Sequence, residues 1–249
     1  MSESIIRYDE IGTSYAAARR ADPRISALIA VALGDSSSVV NVGAGTGSYE
    51  PPGHRVVAVE PSRVMISQRP PGSAPGIQSV AERLPFRTRT FDAAMAILTM
   101  HHWSDPSLGL AELRRVARRI VILTIDPEFA RSFWLTEEYF PGIGDWDANH
   151  FMNIEVLRTE LGDTTVLPVP VPYDCQDGFL AAFWRRPKAY LDSEVRAGIS
   201  TFALIGKGER ETGLRRLAQD LESGEWADRH HSLQALDALD AGYRLIVSS

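Results

Sequence analysis

One cysteine, Cys175, stands in a chain of 249 residues. No intramolecular disulfide can form, and no cysteine cluster can hold a metal. Its neighbours Asp174 and Gln176 supply neither a helix start nor a histidine to lower its pKa, so Cys175 reads as a packed small residue rather than a nucleophile. Excess positive charge is also missing. Lys and Arg number 26 against 32 Asp and Glu, a formal net charge of −6, whereas a nucleic-acid groove needs clustered cations. The pairs Arg114-Arg115, Arg118-Arg119 and Arg215-Arg216 lie in alternating-charge helical contexts and read as solvated faces. Met1-Ser2-Glu3-Ser4 has neither the basic start nor the apolar core of a secretory leader, and no apolar run reaches membrane-spanning length. There is no internal repeat, low-complexity tract or flexible linker. With 44% of residues hydrophobic, we expect a single, cytoplasmic domain with a sizeable core and no metal, nucleic-acid or membrane partner.

Another absence is more informative. The run Val39-Val40-Asn41-Val42 breaks into Gly43-Ala44-Gly45-Thr46-Gly47, and a second apolar run, Val56 to Val59, ends in Glu60. This reads as strand, tight loop and parallel strand, with a carboxylate at the sheet edge where open α/β folds bind ligands. Glycine permits a left-handed backbone and close approach to a flat ligand. A dinucleotide fingerprint counted from Gly43 needs a third glycine at position 48, opening a helix whose N-terminus carries the pyrophosphate. Ser48 stands there, and Pro51-Pro52-Gly53 leave room for at most about one helical turn. A phosphate would lose its amide cradle, but a nucleoside gripped through its ribose by Glu60 would lose little. This favours S-adenosylmethionine over NAD and argues against a nicotinamide-dependent oxidoreductase.

Asn41 to Gly47, Glu60-Pro61-Ser62, Ala81-Glu82-Arg83-Leu84-Pro85-Phe86, Phe91-Asp92 and His101-His102-Trp103 occur in order. Together they resemble the class I S-adenosylmethionine-dependent methyltransferases, most of all the small-molecule branch that includes the ubiquinone and menaquinone enzymes. The resemblance covers roughly residues 8 to 125. It implies a cofactor site of Asn41, Gly43, Ala44, Gly45, Gly47, Glu60 and Pro61, with Met65 near the adenine. Ala81 and Glu82 would read the adenine edge, and Leu98 and Thr99 would flank the methionine part. Tyr8, Tyr15 and Arg19 resemble an N-terminal lid, with Arg19 placed for the cofactor carboxylate. Two features depart from the pattern: the helix after the glycine loop is nearly absent, and Val80 stands where the family often has an acid for the adenine amino group.

Asp22-Pro23 opens an expected helix through Leu33, stopped by Gly34, and Asp105-Pro106 opens another. Strands are expected at Val39–Val42, Val56–Val59, Ile77–Val80, Phe91–Leu98 and Arg119–Ile125. Beyond these come a helix over Ile154–Leu161 closed by Gly162, a strand over Thr164–Val171, helical segments over 178–205 and 209–223, and a closing strand over Gly242–Val247. Strand and helix alternate, which predicts an α/β, doubly wound, mostly parallel seven-stranded sheet with an antiparallel edge strand. Residues 1–34 form a helical lid in this reading, 35–171 the cofactor-binding core, 172–241 a cap insertion, and 242–249 the last strand.

The expected chemistry is methyl transfer from S-adenosylmethionine to an O, N or C nucleophile of a small molecule. His101 follows the fourth strand and is a candidate base, although alignment alone carries much of such a transfer. His102, Trp103, Trp134, Trp146, Phe151, Trp184 and Tyr190 are candidates for an aromatic substrate wall. The alternative is a methyltransferase fold repurposed for non-methyl chemistry or partner binding.

Overall fold

A computed structural model describes residues 19–249; Tyr8 and Tyr15 of the expected lid lie outside them. The helix α1 (Pro23–Leu33) starts where Asp22 accepts the Arg24 amide at 2.9 Å and ends at Gly34, whose φ of 58° only glycine adopts readily. Strands β1 (Ser38–Val42) and β2 (Arg55–Val59) follow, then the short helix α2 (Arg63–Ser67). After β3 (Gly76–Ile77) and β4 (Phe91–Ile97) comes α3 (Pro106–Val116), capped by Asp105 as its sequence requires. Next are β5 (Ala117–Ile125), α4 (Trp134–Glu138), α5 (Pro141–His150), α6 (Ile154–Leu161) and β6 (Thr164–Pro168).

The seven-stranded sheet has the order β3-β2-β1-β4-β5-β9-β6, where β9 (Tyr243–Ser248) runs antiparallel to both β5 and β6. Chain direction reverses its progress across the sheet between β1 and β4, the switch point that leaves a crevice at the strands' carboxyl ends. Alternate residues of each strand enter opposite cores. Val39, Ala93, Met95, Val121 and Leu245 pack with Ile25, Ile29 and Leu33 of α1. Val40, Ala94, Ala96, Ile122 and Ile246 pack with Leu110 and Leu113 of α3 and Leu157 of α6. A sheet buried on both faces explains why its strands read as continuous apolar runs.

Four expectations need correction. Strand β3 covers only Gly76–Ile77, because the chain after Gln78 turns: the Arg83 amide reaches Val80 O, and the Ser79 hydroxyl reaches Arg83 O. The strand expected over Thr164–Val171 stops at Pro168. Val171–Pro172 then pairs separately with Ala238–Leu239 as β7 and β8. That two-stranded ribbon closes the base of the segment between them. The stretch 178–205 is mostly single-turn 3₁₀ helices, over Leu180–Phe183, Pro187–Leu191 and Ser200–Ala203, with α7 (Ser193–Ala197) as its one α-helix. The helix expected from 209 begins earlier, as α8 (Lys207–Ser223), and α9 (Glu225–Arg229) follows. Phe179, Trp184, Tyr190, Phe202, Leu217 and Trp226 of this segment join the same core as α1.

No helix lies between β1 and β2. An ion pair holds the connection instead. Glu50 and Arg69 meet with side chains only 12% and 5% exposed, and Arg69 also donates to Gly45 O at 3.2 Å and Ala74 O at 3.1 Å. Among the described residues, no helix is long and apolar enough to cross a membrane.

Candidate active site

The glycine loop is built around the end of β2. Gly43, Gly45 and Gly47 have φ of 70°, 51° and 91°. The amides of Gly43 and Ala44 both donate to Val59 O, at 2.8 and 3.0 Å, and the Gly45 amide donates to Glu60 Oε2 at 2.9 Å. Glu60 Oε1 accepts the Ser62 amide at 3.0 Å, and Ser62 in turn caps α2 by accepting the Met65 amide at 3.2 Å. A phosphate nest needs successive amides turned toward the ligand. Here three of them face the protein. With these three amides turned inward and the Glu60 carboxylate lining the crevice beside them, the loop suits an uncharged sugar better than a pyrophosphate.

Glu60 is only 7% exposed, yet it lines the cleft above the sheet. So do Asn41, Gly43, Ala44 and Gly45 of the loop, Pro61 and Met65 beside α2, Ala81 and Glu82, and Leu98 and Thr99 after β4. Gly47 does not line it: its amide closes the turn onto Ala44 O at 2.9 Å, and its φ is what lets the loop leave. Val80 lines the cleft as well. A Cβ on Gly43 would stand 1.9 Å from Thr99 Oγ1, so glycine there lets β4 approach the loop.

Loops around the cleft are tied from a distance. Glu82 Oε1 accepts the Ser104 amide and hydroxyl and the Asp105 amide at 2.7–3.1 Å, which fixes Trp103 on the rim. The Trp103 ring lies where a Cβ on Gly109 would be, 2.4 Å from it. Arg19 lines the cleft while its guanidinium forks onto the fully buried side chain of Asp177, at 2.7 and 3.1 Å. Tyr49 Oη donates to the same carboxylate at 2.8 Å, and burial together with that negative charge raises the phenol's pKa. Neither Asp177 nor Tyr49 stands out in the sequence.

A second chamber adjoins the cleft, and Arg19, Leu98 and His102 line both. Leu98 has φ of 51°, a strained conformation for a leucine, of the kind stored at functional sites. His101 and Phe151 face this chamber with ring centroids 4.4 Å apart. Burial, then the neighbouring His102, Arg19 and His150, holds the His101 imidazole well below its usual pKa, so it is neutral at physiological pH. Asp147 of α5 and Thr201 also line it. Burial pushes the Asp147 carboxyl up to about 7. Asp147 was missed, although its spacing carries a signal: an acid stands on the face marked by Ile143, Gly144 and Phe151, all buried.

The other expected substrate residues fall elsewhere. Trp146 borders neither cavity but sits edge-on to His101 at 6.0 Å and stacks on His150 at 4.0 Å. Trp134, Trp184 and Tyr190 are corrections. All three are buried away from the two connected cavities, and their polar tips already donate to backbone carbonyls: Trp134 to Trp184 O, Trp184 to Val171 O, and Tyr190 to Leu180 O at 2.6 Å. They are core, as most large aromatics are. Burial raises the Cys175 thiol to about 12, in keeping with a packed residue.

Residues 40–125 match the model of a family described as "Methyltransferase domain". A solved structure from Anabaena variabilis, described as a methyltransferase of an antibiotic biosynthesis pathway, is 36% identical. The alignment covers 93% of this chain and 99% of that one, with a TM-score of 0.87. The [4+2]-cyclase SpnF shares the fold alone: it is 14% identical over 98% of this chain and 94% of its own, with a TM-score of 0.55. No curated protein matches the chain. With the strand order, the glycine loop and the acid at the end of β2 in hand, the conclusion is direct: the chain belongs to the class I S-adenosylmethionine-dependent methyltransferases.

Proposed function

We propose that the protein binds S-adenosylmethionine in the cleft and moves its methyl group to an oxygen, nitrogen or carbon nucleophile of a small molecule held in the adjoining chamber. The observation that carries this reading is Glu60. Its carboxylate is buried at the carboxyl end of β2, is held by the Gly45 and Ser62 amides, and lines the cleft. An ionised carboxylate accepts hydrogen bonds on both oxygens, which is the chemistry a pair of adjacent ribose hydroxyls needs. Bound there, S-adenosylmethionine supplies a methyl carbon on a sulfonium; the acceptor's electron pair forms the new bond as the carbon–sulfur pair stays on sulfur, leaving S-adenosylhomocysteine.

In this reading Glu60 holds the ribose hydroxyls, Met65 and Ala81 border the adenine, and Leu98 and Thr99 flank the methionine part. Arg19, steadied by Asp177, faces the cofactor carboxylate. Neutral His101 receives the proton that an O or N acceptor gives up, and His102, Trp103 and Phe151 align that acceptor. Residues 172–241 act as a cap over the core of residues 35–171. The Anabaena relative is described for antibiotic biosynthesis; for this chain, a flat, apolar acceptor suits a chamber walled by Phe151 and Phe179.

Calorimetric titration with S-adenosylhomocysteine tests this. A charged hydrogen bond is worth about 1.5–3 kcal/mol, so Glu60→Ala should weaken binding roughly ten- to a hundred-fold. Unchanged affinity would remove Glu60 from the site. A second reading, in which the fold is kept for non-methyl chemistry or partner binding, draws on Val80 and on the missing helix between β1 and β2. Failure of the wild-type protein to bind either S-adenosylmethionine or S-adenosylhomocysteine would favour it.

A further inference from the structure

Well-separated stretches of chain converge on the second chamber. His101 comes from the turn after β4, Asp147 and Phe151 from the end of α5, Thr201 from the 3₁₀ turn Ser200–Ala203, and Tyr243 from the start of β9. Three of these residues bring a polar atom that is buried and has no hydrogen-bond partner: His101 Nδ1, Asp147 Oδ1 and Thr201 Oγ1. Asp147 and Thr201 are only 3% and 7% exposed. Buried polar atoms are almost always bonded, and each exception calls for an explanation. One such atom is a local defect. Three on the wall of one chamber, beside aromatic and aliphatic surface, have the make-up of a small-molecule site, where a few convergent polar groups orient a largely apolar ligand.

Charge narrows the ligand class. Among the described residues Arg19 is the only lysine or arginine on this wall; its guanidinium is forked onto Asp177 and, in the reading above, is assigned to the cofactor carboxylate. Once ionised, a buried carboxyl such as Asp147 repels an anion and is satisfied by a donor or a cation. We propose that this chamber is the methyl-acceptor pocket, and that it takes an uncharged or cationic ring-bodied small molecule whose hydroxyl or protonated amine donates a hydrogen bond to Asp147. The Thr201 hydroxyl can donate or accept, so it suits a second oxygen or nitrogen on the same ligand. His101 borders the reacting end, where the chamber meets the cofactor cleft at Leu98 and His102. Asp147 is a binding residue in this scheme and takes no part in bond making. The proposal rests on the cofactor reading above for the word "acceptor", but not for the existence of the ligand site.

The test uses the full chain, first titrated with S-adenosylhomocysteine, and then probed by saturation-transfer NMR with phenol, benzylamine, benzoate and toluene. Phenol or benzylamine should bind at least about tenfold more tightly than benzoate and toluene. Asp147→Leu, which removes the acceptor while keeping similar bulk, should abolish that advantage and leave S-adenosylhomocysteine affinity unchanged. Asp147→Asn keeps an acceptor but no charge. It should cost benzylamine about tenfold and phenol far less, which distinguishes an ammonium ligand from a hydroxyl ligand. Equal binding of toluene and phenol, a preference for benzoate, no binding of any probe, or indifference to Asp147→Leu would each overturn the proposal. Loss of S-adenosylhomocysteine binding with phenol binding intact would break the cofactor reading alone.

Discussion

The two cavities share a wall, yet they treat their polar groups in opposite ways. On the cofactor side the groups that shape the loop are held by the protein. The Gly43, Ala44 and Gly45 amides go to Val59 and Glu60, the Glu60 oxygens take backbone amides, and Glu82 gathers Ser104 and Asp105. On the other side Asp147, Thr201 and His101 each keep a buried atom without a partner. The first surface is preorganised for a ligand whose shape does not vary. The second carries an energetic deficit that only a particular ligand removes, so specificity belongs there. The origins differ too. Apart from Arg19, which lines both, the cofactor wall comes from residues 41–104, whereas the chamber needs chain from 98 to 243.

The comparison breaks most visibly at Gly43. An alanine there meets Thr99 Oγ1 and must hold a φ of 70°. Overpacking of about 1–3 kcal/mol and left-handed strain of about 1–2 kcal/mol should together remove several kcal/mol of stability and the cofactor site with it. Thermal melts and S-adenosylhomocysteine titration of Gly43→Ala check this; a soluble variant with normal Tm and affinity would show that the loop is not the rigid element described.

Asp147 should respond in the other direction. Its carboxyl stands at about 7 in the folded protein against an ordinary 3.8, because burial disfavours the charge. The folded state therefore keeps a proton that the unfolded chain loses between about pH 4 and pH 7. Stability falls as pH rises through that window and levels off above it. Asp147→Asn abolishes this loss. It should raise stability at pH 8 by on the order of 3 kcal/mol, part of the ionisation penalty being offset by an unbonded buried amide, and change it little at pH 4. Denaturant unfolding at the two pH values reads the difference directly. Equal stabilities at pH 8 would mean that Asp147 ionises without penalty, and the contrast between the two walls would lose its main support.

What the sequence reveals follows the same division. Helix α1 between Asp22-Pro23 and Gly34, and helix α6 ending at Gly162, are legible because a cap, a proline and a glycine act within one or two turns. The glycine loop and Glu60 are legible because a strand, a turn and a strand lie within about twenty residues. Asp177 is not: it gains meaning only by meeting Tyr49 and Arg19, 128 and 158 residues away in sequence. The same holds for the aromatics. Phe151 and Trp184 look alike as candidate pocket walls, and only the fold sends one to the chamber and the other beneath β7. The break at Pro168 is legible in principle, since neither Pro168 nor Pro170 has an N–H to donate to a ladder; the apolar run around them masks it.

The smallest expected effect sharpens the cofactor side. Val80 is 36% exposed and lines the same cleft as Glu60. It cannot accept a hydrogen bond, although the family often places an acid there for the adenine amino group. Val80→Asp would supply that acceptor without disturbing a core residue. At a partly solvated position a new hydrogen bond contributes about 1 kcal/mol, so S-adenosylhomocysteine should bind roughly fivefold more tightly. The gain should vanish for an analogue whose adenine amino group is replaced by hydrogen, because nothing remains for the carboxylate to accept. Tighter binding that persists with that analogue would mean that the new charge acts at a distance, and unchanged binding would put the adenine edge away from position 80.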